Sequence, residues 1–205
     1  GHLPVNVPEL HADLVAITGH KGLRGPAGTG ALYVAPHLAL RQVFVGGTGS
    51  RSDRAFHPEE MPMRLEVGTP NVPSLAGLAA ALRWHSACGK SFAEIERDRA
   101  EQLRAALRDI PGVTLYDDVP GVPRTGVVSC RLPGWPVDET GYVLAQSFDI
   151  ITRTGLHCAP LIHEALGSTP DGTVRFSVSG FTTEEEIAAV VAAIRTMCHD
   201  HSHHR

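Results

Sequence analysis

Two short apolar runs, 12–17 (ADLVAI) and 31–34 (ALYV), constrain the fold of this chain more than anything else in it. Neither shows the regular polar–apolar alternation of a half-solvated strand, so each reads as a strand buried on both faces. Strands of that kind need layers over both faces and neighbouring strands at their edges. Between them lies a Gly/Pro-dense loop, 19–30 (GHKGLRGPAGTG), the sort of loop on a rigid sheet that carries function. Nothing else in the first 90 residues reads as a convincing sheet strand, so this half does not close on itself. The expectation is that part of its domain lies outside these 205 residues.

The remainder is easier to parse. Residues 42–72 look irregular and hold Gly46-Gly47-Thr48-Gly49-Ser50 and Gly68-Thr69-Pro70-Asn71. Pro73 opens an Ala-rich helix over 74–88, which Gly89 ends. Ser91 starts another, with Glu94 completing a capping box and Phe92, Ile95, Leu103, Ala106, Leu107 and Ile110 mostly on one face. Strands are expected at 113–116, 125–132, 150–153 and 173–178, with a helix at 138–148. A last helix starts at Thr183, capped by Glu186, and buries Ile187, Val190, Val191 and Ile194. The second half thus reads as a small α+β unit with a mostly antiparallel sheet. The closing HDHSHHR reads as a solvated, frayed tail rather than a metal site, and no metal ligand set is expected.

Charge and cysteine usage narrow the chemistry. With a net charge of -4 and a pI near 6.3, a generic nucleic-acid binder is not expected. No apolar run approaches a membrane span. Cys88, Cys130, Cys158 and Cys198 form no CxxC pair and read as reduced thiols of a cytoplasmic protein. Cys88, Cys130 and Cys198 sit in helix or strand segments among apolar neighbours, as structural cysteines do. Cys158 instead follows a Gly and a His in a loop, just before a Pro. Of the 18 basic residues only Lys21 and Lys90 are lysines. Lys90 has no chemistry around it. Lys21 stands beside His20 among glycines, where an amine that loses solvation can become a nucleophile toward an aldehyde.

These residues carry a resemblance. The stretch Thr18-Gly19-His20-Lys21-Gly22 and the following loop resemble the lysine motif of class V (fold-type I) pyridoxal-phosphate enzymes, most closely the cysteine desulfurase and selenocysteine lyase group. The likeness runs in order along nearly the whole chain. It implies an α/β fold: residues 1–90 as the C-terminal part of the cofactor-binding large domain, and 91–205 as the small α+β domain. It implies pyridoxal 5'-phosphate as cofactor, joined to Lys21 as a Schiff base, with Thr18 and His20 on its phosphate. Gly47, Thr48 and Thr69 fall where the group reaches across a homodimer interface to the partner's cofactor phosphate. Arg175, in Val174-Arg175-Phe176-Ser177, matches the arginine that grips the substrate α-carboxylate, a task suited to a planar bidentate fork. Thr152-Arg153-Thr154-Gly155-Leu156-His157-Cys158-Ala159-Pro160 is similar to the loop that holds the group's nucleophilic cysteine. The implied reaction converts L-cysteine to L-alanine, with the sulfur left on Cys158 as a persulfide for a sulfur-acceptor protein. Arg153 or His157 would stand by that thiolate, Arg153 also on the substrate side. His163 and Arg24 are weaker candidates.

A complete member of the group would be about twice this length. The aspartate that pairs with the pyridine nitrogen, the stacking histidine and the phosphate-binding glycine loop would belong to the other half. A separate N-terminal chain, a longer product, or a non-catalytic fragment that only dimerises or docks a partner are therefore all open. So is a different reaction on the same fold: aminotransferase, racemase or β-lyase.

Overall fold

The computed structural model describes residues 1–49, 51, 53–88, 92–116 and 121–202, the last three by backbone alone. The expected roles of Ser50, Gly89, Lys90, Ser91 and the final residues 203–205 lie outside these. The chain divides into two compact units, one spanning Leu3–Cys88 and one comprising Gly89–Arg205 together with His2.

The first unit holds a short helix α1 (Val7–Leu10), strands β1 (Leu14–Thr18) and β2 (Gly30–Val34), a 3-10 turn at Met63–Leu65 and helix α2 (Val72–Ala87). β1 and β2 pair antiparallel, from Leu14 opposite Val34 to Thr18 opposite Gly30. The loop between them is cinched at its base, where Gly19 N donates to Thr29 O at 2.9 Å. A side chain at Gly19 would run into the Thr29 hydroxyl. Within these residues the two apolar strands are uncovered: Leu14 is 47% exposed, Ile17 38% and Leu32 52%. The physical reason is that each strand has the other as its sole sheet partner among the described residues, so the layers that apolar strands require are not supplied. α2 begins two residues before the expected start, with the Asn71 side chain capping it by accepting from Ser74 N at 3.3 Å.

The second unit is an antiparallel four-stranded sheet in the order β3-β4-β6-β5, formed by β3 (Thr114–Leu115), β4 (Val127–Arg131), β5 (Arg153–Gly155) and β6 (Thr173–Ser177). Helices α3 (Phe92–Arg108), α4 (Val137–Phe148), α5 (Pro160–Ala165) and α6 (Glu184–Ser202) complete it. Alternation divides the sheet. Val128, Cys130, Val174 and Phe176 are buried on one face in a core with Leu103 and Leu107 of α3, Leu144 of α4, and Ile187, Val191 and Ile194 of α6. Ser129 and Arg175, paired across β4 and β6, belong to the opposite face. α6 starts with the expected capping box: Glu186 N donates to Thr183 Oγ1 at 3.2 Å and Thr183 N to Glu186 Oε2 at 2.8 Å.

Three sequence expectations shift here. The strand expected at 150–153 starts only at Arg153, because Asp149 (φ 56°) and Ile150 are spent capping α4 on Leu144 O. The 125–132 strand starts at Val127, since Gly126 N donates to Glu96 Oε1 at 2.9 Å instead of to a ladder. The tail expected to fray from His199 remains helical through Ser202. α3 also buries two charged residues that its apolar periodicity hides, Glu96 and Arg104. Glu96 accepts from Gly126 N and pairs with His2 Nδ1 at 2.8 Å. No helix among the described residues is long and apolar enough to cross a membrane.

Candidate active site

In the first unit, Thr18, His20 and Lys21 project from one turn where β1 runs into the 19–29 loop, and all three are exposed. Arg24 N closes this turn on Lys21 O at 2.9 Å. Arg24 has a structural place: its guanidinium lies 5.5 Å over the Trp84 ring and donates to His85 Nε2 at 3.2 Å. Burial, and then the Arg24 charge, push His85 below its usual 6.5, which suits a ring nitrogen that accepts. Gly47, Thr48 and Thr69 come together elsewhere in the unit. Gly68 N donates to Gly47 O at 2.6 Å, and Gly49 packs on Thr69. Buried Thr48 accepts from Arg51 N at 3.1 Å. A cavity of about 680 Å³ opens there, lined by Gly47, Thr48, Arg51, Arg54 and His57. Glycine backbone beside cationic side chains is the donor chemistry of a phosphate site.

The second unit gathers Arg153, Cys158 and Arg175. Arg153 and Arg175 are directly opposite on β5 and β6. The chain then leaves β5 through a left-handed turn, with Gly155 at φ 94°, His157 at 53° and Cys158 at 62°. This turn brings exposed Cys158 back to β5, where Arg153 Nη2 donates to Sγ at 3.1 Å. His157 Nε2 meets Thr173 Oγ1 of β6 at 3.0 Å. Burial and then the charges of Arg175, His163 and Arg153 hold His157 below its usual 6.5, so it is neutral at pH 7. The cation on the sulfur is therefore Arg153.

A groove of about 410 Å³ lies beside this turn, lined by Ser129, His157, His163, Thr173 and Arg175, with Arg104 and Arg124 also at its wall. Arg175 Nε and His157 Nδ1 are buried without a hydrogen-bond partner. A basic groove with an unused arginine donor suits a carboxylate. His163 is buried and bonded through Nδ1 to Ser168 Oγ at 2.7 Å, a structural role. Sequence reasoning passed over Thr173 and Ser129. The alternation of Thr173-Val174-Arg175 placed Thr173 on the face of Arg175, and that pattern was available to find it.

Residues 1–190 match the family model for aminotransferase class-V. The chain belongs to the class V aminotransferase family. It is 31% identical over 194 residues to the probable cysteine desulfurase of Methanothermobacter thermautotrophicus, covering 91% of this chain and 48% of that one. It is 34% identical over 201 residues to the cysteine desulfurase of Shigella flexneri, covering 95% and 48%. Among solved structures, the apo cysteine desulfurase of Thermococcus onnurineus superposes with a TM-score of 0.85 at 30% identity, over 97% of this chain and 50% of that one. The Escherichia coli cysteine desulfurase CsdA, solved in an S-sulfonic acid form, gives 0.79 at 30% identity over 95% and 48%. A cystine C-S lyase bound to its product cysteine persulfide gives 0.72 at 28% identity over 95% and 49%. The family chain thus spans about half the length of the relatives it matches. The family is pyridoxal-phosphate-dependent, and a variant of that C-S lyase holds glycine linked covalently to the cofactor.

Proposed function

We propose that this chain is the sulfur-accepting half of a cysteine desulfurase. The observation that carries this reading is the exposed Cys158 thiol held against the Arg153 guanidinium at 3.1 Å. A nucleophilic sulfur needs access and a thiolate form, and a guanidinium donor offers that anion both charge and a hydrogen bond.

The residues present fit the cofactor. The Lys21 amine suits an aldehyde, and the hydroxyl of Thr18 and imidazole of His20, on the same turn, suit a phosphate. Gly47, Thr48 and Thr69 would hold the phosphate of a second protomer's cofactor, in a homodimer with sites at the interface. When bound, the cofactor supplies an electron sink for the pair left on the substrate Cα. Lys21 then moves a proton at Cα. Arg175 holds the α-carboxylate of L-cysteine. The Cys158 thiolate attacks the substrate sulfur, forming an S–S bond as the Cβ–S bond breaks; Cβ takes a proton and alanine leaves. A sulfur-acceptor protein would draw the persulfide from exposed Cys158. The four free thiols suit a reducing, cytoplasmic setting. Residues 1–90 would serve as part of the large cofactor domain and 91–205 as the small one, with the rest of the large domain supplied by a longer product or a separate chain.

The test is production of alanine from L-cysteine, with Cys158→Ser as the comparison, in the protein completed by its remaining half. The reading expects alanine formation to collapse in the variant, while borohydride still traps pyridoxal phosphate on Lys21. The likeness to the cystine C-S lyase favours a second reading, β-elimination without an enzyme-bound sulfur. Full consumption of L-cysteine by Cys158→Ser, with pyruvate and sulfide in place of alanine, would establish that reading and refute the first.

A further inference from the structure

The Cys158 thiol sits where it does only because two successive non-glycine residues, His157 and Cys158, adopt left-handed backbone. Side chains disfavour that conformation, and it persists where surroundings over-determine it. Within the turn, Ala159 N bonds Leu156 O at 2.8 Å, which closes it around His157 and Cys158. The remaining constraint comes from the sheet. His157 Nε2 meets Thr173 Oγ1 at 3.0 Å, and Thr173 is fully buried in β6, directly opposite Gly155. The His157 ring also packs, tilted by 52°, against His163 with centroids 5.4 Å apart, and His163 is itself fixed by Ser168. The residue before the nucleophile is thus clamped between a strand hydroxyl and a buried ring.

We propose that Thr173 is a positioning residue for the Cys158 sulfur: its hydroxyl fixes the His157 ring, which holds the left-handed turn that sets Sγ on Arg153. The chain of action runs from β6 through one side-chain hydrogen bond to the backbone of residue 158 and ends at a guanidinium on β5. Because β5 and β6 are paired, both ends of the clamp are built on one rigid ladder. Thr173 never needs to touch substrate. The proposal deepens the desulfurase reading, on which the functional value of the Cys158 position rests.

The test is the rate at which iodoacetamide alkylates Cys158 in the purified chain at pH 7.5 or so, read by peptide mass spectrometry; it requires neither cofactor nor turnover. Thr173→Val keeps the shape and removes the hydroxyl. It should slow Cys158 alkylation about fivefold, the factor carried by one hydrogen bond of ordinary net strength. Thr173→Ser should restore the parent rate. His157→Phe keeps the ring packing and loses the same bond, so it reads the clamp independently if Thr173→Val fails to fold. The deciding readout is coupling: in an Arg153→Gln background, removing the Thr173 hydroxyl should have no further effect, because the sulfur has no guanidinium left to be held against. A Thr173→Val rate equal to the parent, no rescue by serine, or effects that multiply with Arg153→Gln would each overturn the proposal. Intact coupling here, with no alanine from L-cysteine in the protein completed by its remaining half, would leave the clamp standing and refute the desulfurase reading alone.

Discussion

Replacing Arg104 with methionine should destabilise the second unit more than a substitution on an otherwise amphipathic helix would suggest. Arg104 is 2% exposed. Its Nη2 donates to Thr125 O at 2.9 Å and Val127 O at 2.8 Å, tying α3 to the start of β4. Methionine preserves much of the stem and leaves both carbonyls without that donor. A hydrogen bond to a charged group is worth roughly 1.5–3 kcal/mol net, and relief from burying the guanidinium offsets part of the two. The expected loss is about 3 kcal/mol. With a urea dependence of about 2 kcal/mol per molar, the midpoint should fall by about 1.5 M. Trp135 reports this unit, since its Nε1 donates to Met197 O at 3.1 Å, and Trp84→Phe silences the indole of the other. Glu101→Gln separates bond from charge. Glu101 pairs with Arg104 at 3.5 Å but is half exposed, so its loss should shift stability by no more than about 0.5 kcal/mol. An Arg104→Met midpoint within about 0.3 M of the parent would refute the claim that those carbonyl bonds hold β4 to α3.

Other outcomes can be checked with the same unfolding signal. Thr183→Ala removes one half of the α6 capping box and should cost about 1 kcal/mol. Gly172 has φ 77°, and a Cβ there would run into the backbone of Gly155. Gly172→Ala should therefore cost about 2 kcal/mol or more and slow Cys158 alkylation as β5 is pushed from β6. His157 lies below its unfolded value of about 6.5, so as pH falls through and below 6.5 the unfolded chain takes up the proton first. Stability should be flat above that value and decline beneath it, and His157→Phe should flatten the decline. At pH 8, alkylation should mark Cys158 ahead of Cys130, which is buried, and of Cys198, whose thiol burial pushes upward.

Much of the second unit was legible because its rules are local. The capping box at Thr183 and the spacing of Ile187, Val191 and Ile194 each specify their own structure. The Cys158 loop was legible as a motif, but its geometry was not. Left-handed backbone at His157 and Cys158 rests on side-chain contacts with Thr173 and His163, which composition cannot announce. Arg104 and Glu96 escaped for a related reason. A helix face predicts which residues turn inward, not that an inward arginine will find two carbonyls. The β1 and β2 runs were read correctly as apolar strands, and the described residues leave Leu14, Ile17 and Leu32 exposed, since burial belongs to whatever surrounds a strand.

That ribbon also bears on the chain's life in a cell. A two-stranded ribbon is marginal alone, and among the described residues nothing covers Leu14, Ile17 and Leu32 along it. Quality control sorts proteins by such surfaces: an open apolar strand invites chaperone capture, proteolysis or stacking on its own copies. Abundance should then be governed by how quickly the ribbon finds its cover after synthesis.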